Sequence, residues 1–315
     1  MSCPIDNRIE IQGKNYYVRN KRHFVAYTQM LEEDKKECFE FAFGMSYAKT
    51  GAHRDSRSGG TMHRTLGQIF INTFQGKMAE FAVYRYLLKH LIPVEKKPDT
   101  KKYELGKWDS FDLECQGKRI SIKSTKSYGD LLLLETKDWD KYGQYIPNLS
   151  EGKATYAYTI LVRFNPDGEQ LMKQHNLLFQ KEREIPADIQ EVLWEKVADQ
   201  NWSYDFPGFI YQNELVQMIQ EKRIIPKGAM LNGKTKMDAE NYYFQTGNMH
   251  PMWEIYMRDV NEEMDEREVL RLKRKCPKCG NELVLRKGYS WFWGCKGFSG
   301  DAKCRFQEAI ALDKH

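Results

Sequence analysis

The chain has 315 residues, of which 41% are hydrophobic and 13% aromatic, so it can bury a core of ordinary size. This composition excludes a largely disordered chain, and the length favours two domains. The 49 basic and 44 acidic side chains leave a net charge of +5, which is weak support for a nucleic-acid partner. No apolar run resembles a signal peptide or reaches the length of a membrane span, which predicts a cytoplasmic protein without a membrane partner.

The first candidate for contact with another molecule is a basic loop with several glycines at residues 49–60. Arg54 and Arg57 in this loop could reach the phosphates or guanine edges of DNA. An exposed loop that is solubilised by its charges fits the same pattern. His53 and His63 lie nearby, but no asparagine and second histidine follow at the spacing of a histidine-metal nuclease.

Apolar residues recur at helical spacing over residues 76–88, which predicts a helix that packs on a core. Glu80 lies within the first turn or two of this pattern. An acid near the start of a helix can be present only because it interacts favourably with the helix dipole. The pattern alone leaves open whether Glu80 interacts with the helix dipole or belongs to a functional site.

Residues 108–125 alternate around a Gln-Gly-Lys turn, which predicts a β-hairpin. The alternation places Asp112 and Glu114 on one face of the first strand, and Ser121 and Lys123 on one face of the second. Carboxylates that face a lysine can hold a divalent metal ion and a water beside a phosphodiester. A solvated hairpin with no chemical role has the same pattern, so the spacing alone does not decide between a metal site and a solvated surface.

Two further strands are predicted at residues 131–134 and 156–162, where continuous apolar runs suit strands of the central sheet that are covered on both faces. Helical patterns follow at residues 191–200 and 213–222, and another strand is expected near residues 239–244.

Acids crowd the first half of residues 261–275 and bases the second half, an arrangement that suits a connecting helix. The chain is therefore expected to consist of a large domain at residues 1–260, this linker helix, and a small domain at residues 276–315.

The helix with Glu80 and the hairpin with Asp112 and Ile-Ser-Ile-Lys-Ser-Thr (residues 120–125) resemble the PD-(D/E)xK nuclease superfamily, particularly type II restriction endonucleases. The resemblance covers residues 40–260 and implies an α/β fold with a restriction-endonuclease-like mixed central sheet flanked by helices. It matches Asp112 to the strand aspartate, Glu80 to the helix acid and Lys123 to the lysine of the motif. Ser121 stands where the family has its second acid, and its hydroxyl is a poor ligand for a metal ion.

This resemblance implies a Mg2+-dependent endonuclease, most similar to a prokaryotic restriction enzyme that cuts double-stranded DNA at a specific site. Asp112, with Glu80 or Glu114, would hold Mg2+, and Lys123 would orient the nucleophilic water. Cutting both strands of a palindrome implies a homodimer. A repair or structure-specific nuclease and a DNA-binding protein without catalysis stay open. No phosphate-binding loop of the ATPase type occurs, so no ATP is expected.

Four of the seven cysteines lie near the C-terminus in the order C-x2-C-x15-C-x8-C. They are Cys276, Cys279, Cys295 and Cys304. The Cys-Pro-Lys-Cys-Gly turn aims two thiolates at one ion, and the second pair closes a four-sulfur site that predicts one structural zinc ion. Unpaired or disulfide-bonded thiols are the alternative. Cys3, Cys38 and Cys115 are expected to be buried or incidental thiols.

The residues around these cysteines include a Leu-Val-Leu-Arg strand and a Trp-Phe-Trp-Gly-Cys run. They closely resemble, over residues 274–311, the four-cysteine zinc ribbon of bacterial type I topoisomerases. This resemblance implies a small β-module that binds nucleic acid by stacking bases on aromatic side chains beside basic ones. The candidates for DNA contacts are Arg286, Lys287, Trp291, Trp293, Lys296 and Arg305. Some of the aromatic residues are expected to form the core of the ribbon instead.

Overall fold

A computed structural model describes residues 8–48, 64–100, 112–115, 117–180, 185–255, 276–287, 291–298 and 303–309 of the chain. It is a mixed α/β protein that divides into two compact units, Met1–Pro251 and Met252–His315. The linker predicted to be helical at residues 261–275 lies outside the described residues. None of the helices in the described ranges combines the length and apolar character needed to cross a lipid bilayer.

The described elements of the first unit are twelve strands and five α-helices, with short 3-10 turns between them. The strands are β1 (Glu10–Gln12), β2 (Asn15–Tyr17), β3 (Thr28–Gln29), β4 (Leu113–Cys115), β5 (Lys118–Lys126), β6 (Leu131–Glu135), β7 (Tyr158–Asn165), β8 (Ser203–Tyr211), β9 (Ile224–Ile225), β10 (Met230–Leu231), β11 (Thr235–Lys236) and β12 (Asn241–Gln245). The helices are α1 (Glu32–Met45), α2 (Leu66–Lys89), α3 (Gly168–Gln174), α4 (Ile189–Leu193) and α5 (Gln212–Gln220). The second unit contains β13 (Leu283–Lys287), β14 (Trp291–Cys295) and β15 (Gln307–Ala309).

The largest sheet of the first unit has five strands in the order β3-β8-β7-β5-β4. β5 and β7 are parallel, and the other neighbours are antiparallel. Every residue of β7 except Asn165 is buried, as expected for a middle strand with both faces covered. The strand predicted at residues 156–162 and its place in the central sheet are therefore confirmed.

β6 is a strand, as predicted, but its expected place in the central sheet is wrong. It pairs with β12, which pairs with β9, so these three strands form a separate sheet. Leu132 and Leu134 belong to a buried cluster that includes Leu161 of β7, whereas Leu131 belongs to a second cluster that includes Tyr243. The apolar run correctly indicated burial on both faces. Burial does not reveal which strands are hydrogen-bonded together, and β6 is covered by packing against the central sheet.

The helix predicted over residues 76–88 is part of α2, which begins earlier, at Leu66. Thr65 caps it: the Thr65 hydroxyl accepts a hydrogen bond from the Gln68 N–H, and the Gln68 side chain accepts one from the Thr65 N–H. Glu80 therefore lies in the middle of a 24-residue helix. A dipole role for Glu80 is wrong, because the effect of the dipole is confined to the first and last turns.

The later helices agree with the sequence pattern. α4 continues into a π-helical turn at Trp194–Ala198, and together they cover most of the helix predicted at residues 191–200. α5 coincides with the helix predicted at residues 213–222. α2 packs against α1 and against β5 of the β4–β5 hairpin.

We expect Gly208→Ala to destabilise the protein much more than Gly228→Ala. Both glycines have a positive φ, 140° and 84°, but a Cβ at Gly208 would lie 2.2 Å from the His250 carbonyl oxygen, whereas Gly228 has open space. Equilibrium unfolding in urea should give a loss of about 3 kcal/mol or more for Gly208→Ala and about 1–2 kcal/mol for Gly228→Ala. Equal losses would contradict the close approach of the two backbones.

Candidate active site and metal centre

The predicted hairpin is confirmed, and its register sets the geometry of the candidate active site. β4 and β5 pair antiparallel, with Leu113 opposite Ile120. One step further along this register, Asp112 stands opposite Ser121. Because side chains alternate between the two faces of a strand, this register brings Asp112, Ser121 and Lys123 to one face of the hairpin.

Asp112 is tied to the neighbouring strand through its side chain. The backbone N–H of Ile122 donates a hydrogen bond to Asp112 Oδ2 at 2.5 Å. The charge of Asp112 also reaches Tyr156: burial raises the pKa of the Tyr156 hydroxyl, and the Asp112 carboxylate raises it further. A carboxylate that a backbone N–H holds in place is suited to fix a metal ion at a defined position.

α2 brings a second carboxylate to this region, together with a lysine. Lys77 Nζ donates to Glu80 Oε2 at 2.6 Å, and the two side chains are only 10% and 13% exposed. Burial alone would lower the pKa of Lys77. The attraction of Glu80, reinforced by the charge of Asp112, outweighs burial and raises that pKa, so the ammonium stays charged.

Sequence reasoning missed Lys77. Lys77 and Glu80 are three residues apart, a spacing that makes two side chains neighbours on the surface of a helix. This spacing is the signal that identifies the pair. It indicates an ion pair in the body of the helix only when Glu80 is known to lie in the interior of α2 and not at its start.

Lys123 borders a group of aromatic side chains. Its ammonium lies 5.9 Å from the centroid of the Tyr145 ring. Tyr145 packs against Trp139 and Tyr156, with ring centroids 5.3 and 6.4 Å away. Ser121, two residues before Lys123, is only 2% exposed. The lysine is thus half-buried between the hairpin and an aromatic wall formed by the segment that joins β6 to β7.

The three acids proposed as Mg2+ ligands are not gathered into one cluster. Within the described ranges, the four C-terminal cysteines are the only group of three or more histidine, cysteine, aspartate or glutamate side chains that could hold a metal ion. Glu114 stands opposite Arg119 on the hairpin. Asp112 with either Glu80 or Glu114 stays the candidate pair of carboxylates for a metal ion in this region, and Ser121 adds only a hydroxyl.

The four C-terminal cysteines form a candidate metal centre in the second unit. Their sulfur atoms all lie within 4.8 Å of one another. The Sγ atoms of Cys276 and Cys304 are 3.7 Å apart, and those of Cys279 and Cys295 are 3.3 Å apart. A tetrahedral zinc ion with bonds of about 2.3 Å needs sulfurs separated by about 3.8 Å. The cluster can therefore hold a metal ion such as zinc.

The local sequence explains why the four sulfurs converge. Gly280 has a φ of 71°, and its N–H donates to the Cys276 carbonyl, which closes the turn after the second cysteine. The Gly297 N–H donates to Cys295 Sγ at 3.3 Å. The backbone N–H of Asn281 and the neighbouring thiols lower the pKa of Cys279 to about 7, whereas burial raises the pKa of Cys295 to about 12. Cys279 is therefore the thiol that loses its proton most readily, and binding of a metal ion by all four sulfurs would release further protons.

None of the described cysteines forms a disulfide bond, so the disulfide alternative is wrong for them. Cys38 and Cys115 are buried thiols, as expected. Burial raises the pKa of Cys38 well above its usual range, and the charge of Glu80 adds to the rise. Cys3 lies outside the described residues.

The ribbon carries a shallow cleft beside the cysteines. Its lining includes Arg286, Phe292, Phe298, Arg305 and Phe306. Phe298 is 53% exposed, and Arg286 Nε is buried with no hydrogen-bond partner among the described residues. A groove that combines guanidinium groups with aromatic rings has the chemistry needed to stack bases and neutralise phosphates.

The structure describes the side chains of only some of the other residues that were predicted to contact DNA. Lys296 forms an ion pair with Glu282 at 2.7 Å. The backbones of Lys287, Trp291 and Trp293 belong to the paired strands β13 and β14, but their side chains lie outside the described residues. The loop that carries Arg54 and Arg57 also lies outside the described residues.

Comparisons of the chain with protein families, with curated proteins and with solved structures return no match. Function is therefore inferred from the residues of the two sites.

We expect the purified protein to contain one zinc ion, and Cys276→Ser to lose it, because three thiolates and a hydroxyl bind zinc much more weakly than four thiolates. Cys115→Ala is the matched control, since this thiol lies in the first unit. Zinc content per folded chain, measured by atomic absorption, tests this. Equal zinc in Cys276→Ser and wild type would contradict the four-cysteine centre.

Proposed function

We propose that the protein is a Mg2+-dependent endonuclease that hydrolyses DNA phosphodiester bonds and has a fold of the restriction-endonuclease type. The main support is the register that brings Asp112, Ser121 and Lys123 to one face of the β4–β5 hairpin. Glu80 adds support as an acid on a helix, because α2 packs against β5 and the charge of Asp112 acts on Lys77, the neighbour of Glu80 on α2. A helix acid, a strand aspartate and a lysine in this order match the PD-(D/E)xK motif, except that Ser121 stands at the position of its second acid.

Asp112 and Glu80 are suited to a hard cation. Mg2+ is commonly held by one or two carboxylates together with water and substrate phosphates, so two acids suffice. The ammonium of Lys77 lies against Glu80, which is consistent with a site that attracts cations. When bound, Mg2+ would lower the pKa of a water molecule and neutralise charge on the phosphate.

Side chains of the protein would carry out the remaining steps, which are to position the metal ion and the water and to stabilise the developing charge. Asp112, held by the Ile122 N–H, keeps its carboxylate at a fixed distance from β5. Lys123 orients the attacking water and stabilises the negative charge that develops on the phosphate oxygens. The Tyr145 ring limits the positions that the Lys123 ammonium can take. In-line attack on phosphorus would leave a 5′-phosphate and a 3′-hydroxyl.

In the function we propose, the enzyme is a prokaryotic type II restriction endonuclease that acts on double-stranded DNA as a homodimer. A two-fold axis would supply one active site for each strand of a palindrome. The C-terminal ribbon would hold one structural zinc ion and provide additional DNA contacts. Reduced zinc-binding thiols suit the reducing cytoplasm, where such an enzyme would act.

Two observations favour other functions. Ser121 lacks a carboxylate and Lys77 neutralises Glu80, which favours a DNA-binding protein without catalysis. The exposed ring of Phe298 suits single-stranded DNA, which favours a repair or structure-specific nuclease. Cleavage of duplex DNA compared with flapped or branched DNA separates the restriction and repair functions.

We expect the wild-type protein to cut supercoiled plasmid in Mg2+ or Mn2+ but not in EDTA. Asp112→Asn and Lys123→Ala should each lower the rate about 100-fold or more, because each removes a charge at the reacting phosphate. Lys118→Ala is the matched control: Lys118 belongs to the same strand, and alternation puts it on the opposite face. The endonuclease proposal fails if wild-type protein leaves the plasmid intact in both metals.

Phe298→Ala should weaken DNA binding by about 5- to 150-fold, because a stacked base contributes about 1–3 kcal/mol. Phe179→Ala is the matched control, since Phe179 is also exposed, at 60% compared with 53%. Fluorescence anisotropy with a labelled oligonucleotide at fixed salt, without divalent metal, measures the affinity. Equal losses for the two variants would exclude a specific role for the ribbon.

A further inference from the structure

Lys77 is a buried cation next to a carboxylate that the proposed nuclease would use for a metal ion. Its ammonium is 2.6 Å from Glu80 Oε2 and 4.9 Å from the centroid of the Phe41 ring of α1. Its side chain is 10% exposed, and that of Glu80 is 13% exposed. The pair is thus enclosed between α1, α2 and the hairpin, not displayed on the surface.

The buried carboxylate of Glu80 is paired with a cation of its own helix, the ammonium of Lys77. A carboxylate buried as deeply as Glu80 is strongly unfavourable without a cation nearby. Lys77 supplies that cation in the protein without bound metal.

Burial makes this pair different from an ordinary helical ion pair. An exposed pair three residues apart exchanges readily with water and contributes little to stability. Glu80 is shielded from water, so loss of the ammonium must be compensated by another cation or by loss of the carboxylate charge. A divalent metal ion bound at Glu80 and the Lys77 ammonium therefore compete for one carboxylate.

We propose that Lys77 is a built-in counter-ion that holds Glu80 in place and competes with divalent metal ions for this carboxylate. The inference rests on the proposed function, because it concerns the same centre. Lys77 is a positioning residue that lowers the metal affinity of the protein alone.

The test is the binding of Mn2+ to zinc-loaded protein without DNA, measured from the electron paramagnetic resonance signal of free Mn2+. Lys77→Met should bind Mn2+ about tenfold more tightly than wild type or better, because a positive charge next to the ligand is removed. Mn2+ should also raise the melting temperature of Lys77→Met more than that of wild type, since the metal replaces the missing ammonium.

Two further variants test whether the charge of Lys77, and not the shape of its side chain, determines the Mn2+ affinity. Lys77→Arg keeps the positive charge and should bind Mn2+ as weakly as wild type. The double variant Lys77→Met/Glu80→Gln lacks both charges and should gain no affinity. The proposal is overturned if Lys77→Met binds Mn2+ no more tightly than wild type, or if the double variant binds as tightly as Lys77→Met. It is also overturned if Lys77→Met and Lys77→Gln both fail to fold with Mn2+ present while Lys77→Arg folds, because the metal then cannot replace the ammonium.

Plasmid cleavage by wild-type protein separates this inference from the function on which it rests. Absence of cleavage together with tighter Mn2+ binding by Lys77→Met would reject the proposed nuclease activity and support the counter-ion role of Lys77. Cleavage by wild type together with unchanged Mn2+ affinity in Lys77→Met would support the nuclease activity and reject the counter-ion role.

Discussion

The register of β4 against β5 is the constraint on which the candidate active site depends. A slip of one residue would turn every side chain of one strand to the other face and separate Asp112 from Ser121 and Lys123. Several features hold the register: the glycine turn at Gly117, the Ile122 N–H bond to Asp112, and the continuous pairing of β5 with the buried strand β7. The central sheet, of which β4 and β5 are two strands, therefore fixes the positions of the side chains proposed to act at the hairpin.

Charge balance is the second constraint, and it ties the hairpin to α2. Lys77 and Glu80 of α2 are buried together as an ion pair. This pair is stable without a metal ion, because each of its two buried charges has a counter-charge. In the function we propose, the metal affinity of the protein and its chemistry would be set by the same few side chains.

Local patterns predicted the parts of the fold that depend on neighbouring residues. Alternation predicted the β4–β5 hairpin, and cysteine spacing predicted the cluster in the ribbon, because a turn and a tetrahedral ion each impose a fixed spacing. The sheet of β6 was not predictable, since an apolar run reports burial and not hydrogen-bond partners. The role of Lys77 was also hidden, because the true start of α2 at Thr65 decides where Glu80 lies along the helix. Which acids converge depends on packing between α2 and the hairpin, which no local pattern records.

The most direct test of the account is to sequence the ends of DNA after incubation with the zinc-loaded protein and Mg2+. The account predicts cuts that depend on the metal, fall at one recurring sequence, and leave 5′-phosphate and 3′-hydroxyl ends. DNA that stays intact in both Mg2+ and Mn2+ would contradict the claim that the hairpin of Asp112 and Lys123 is an active site.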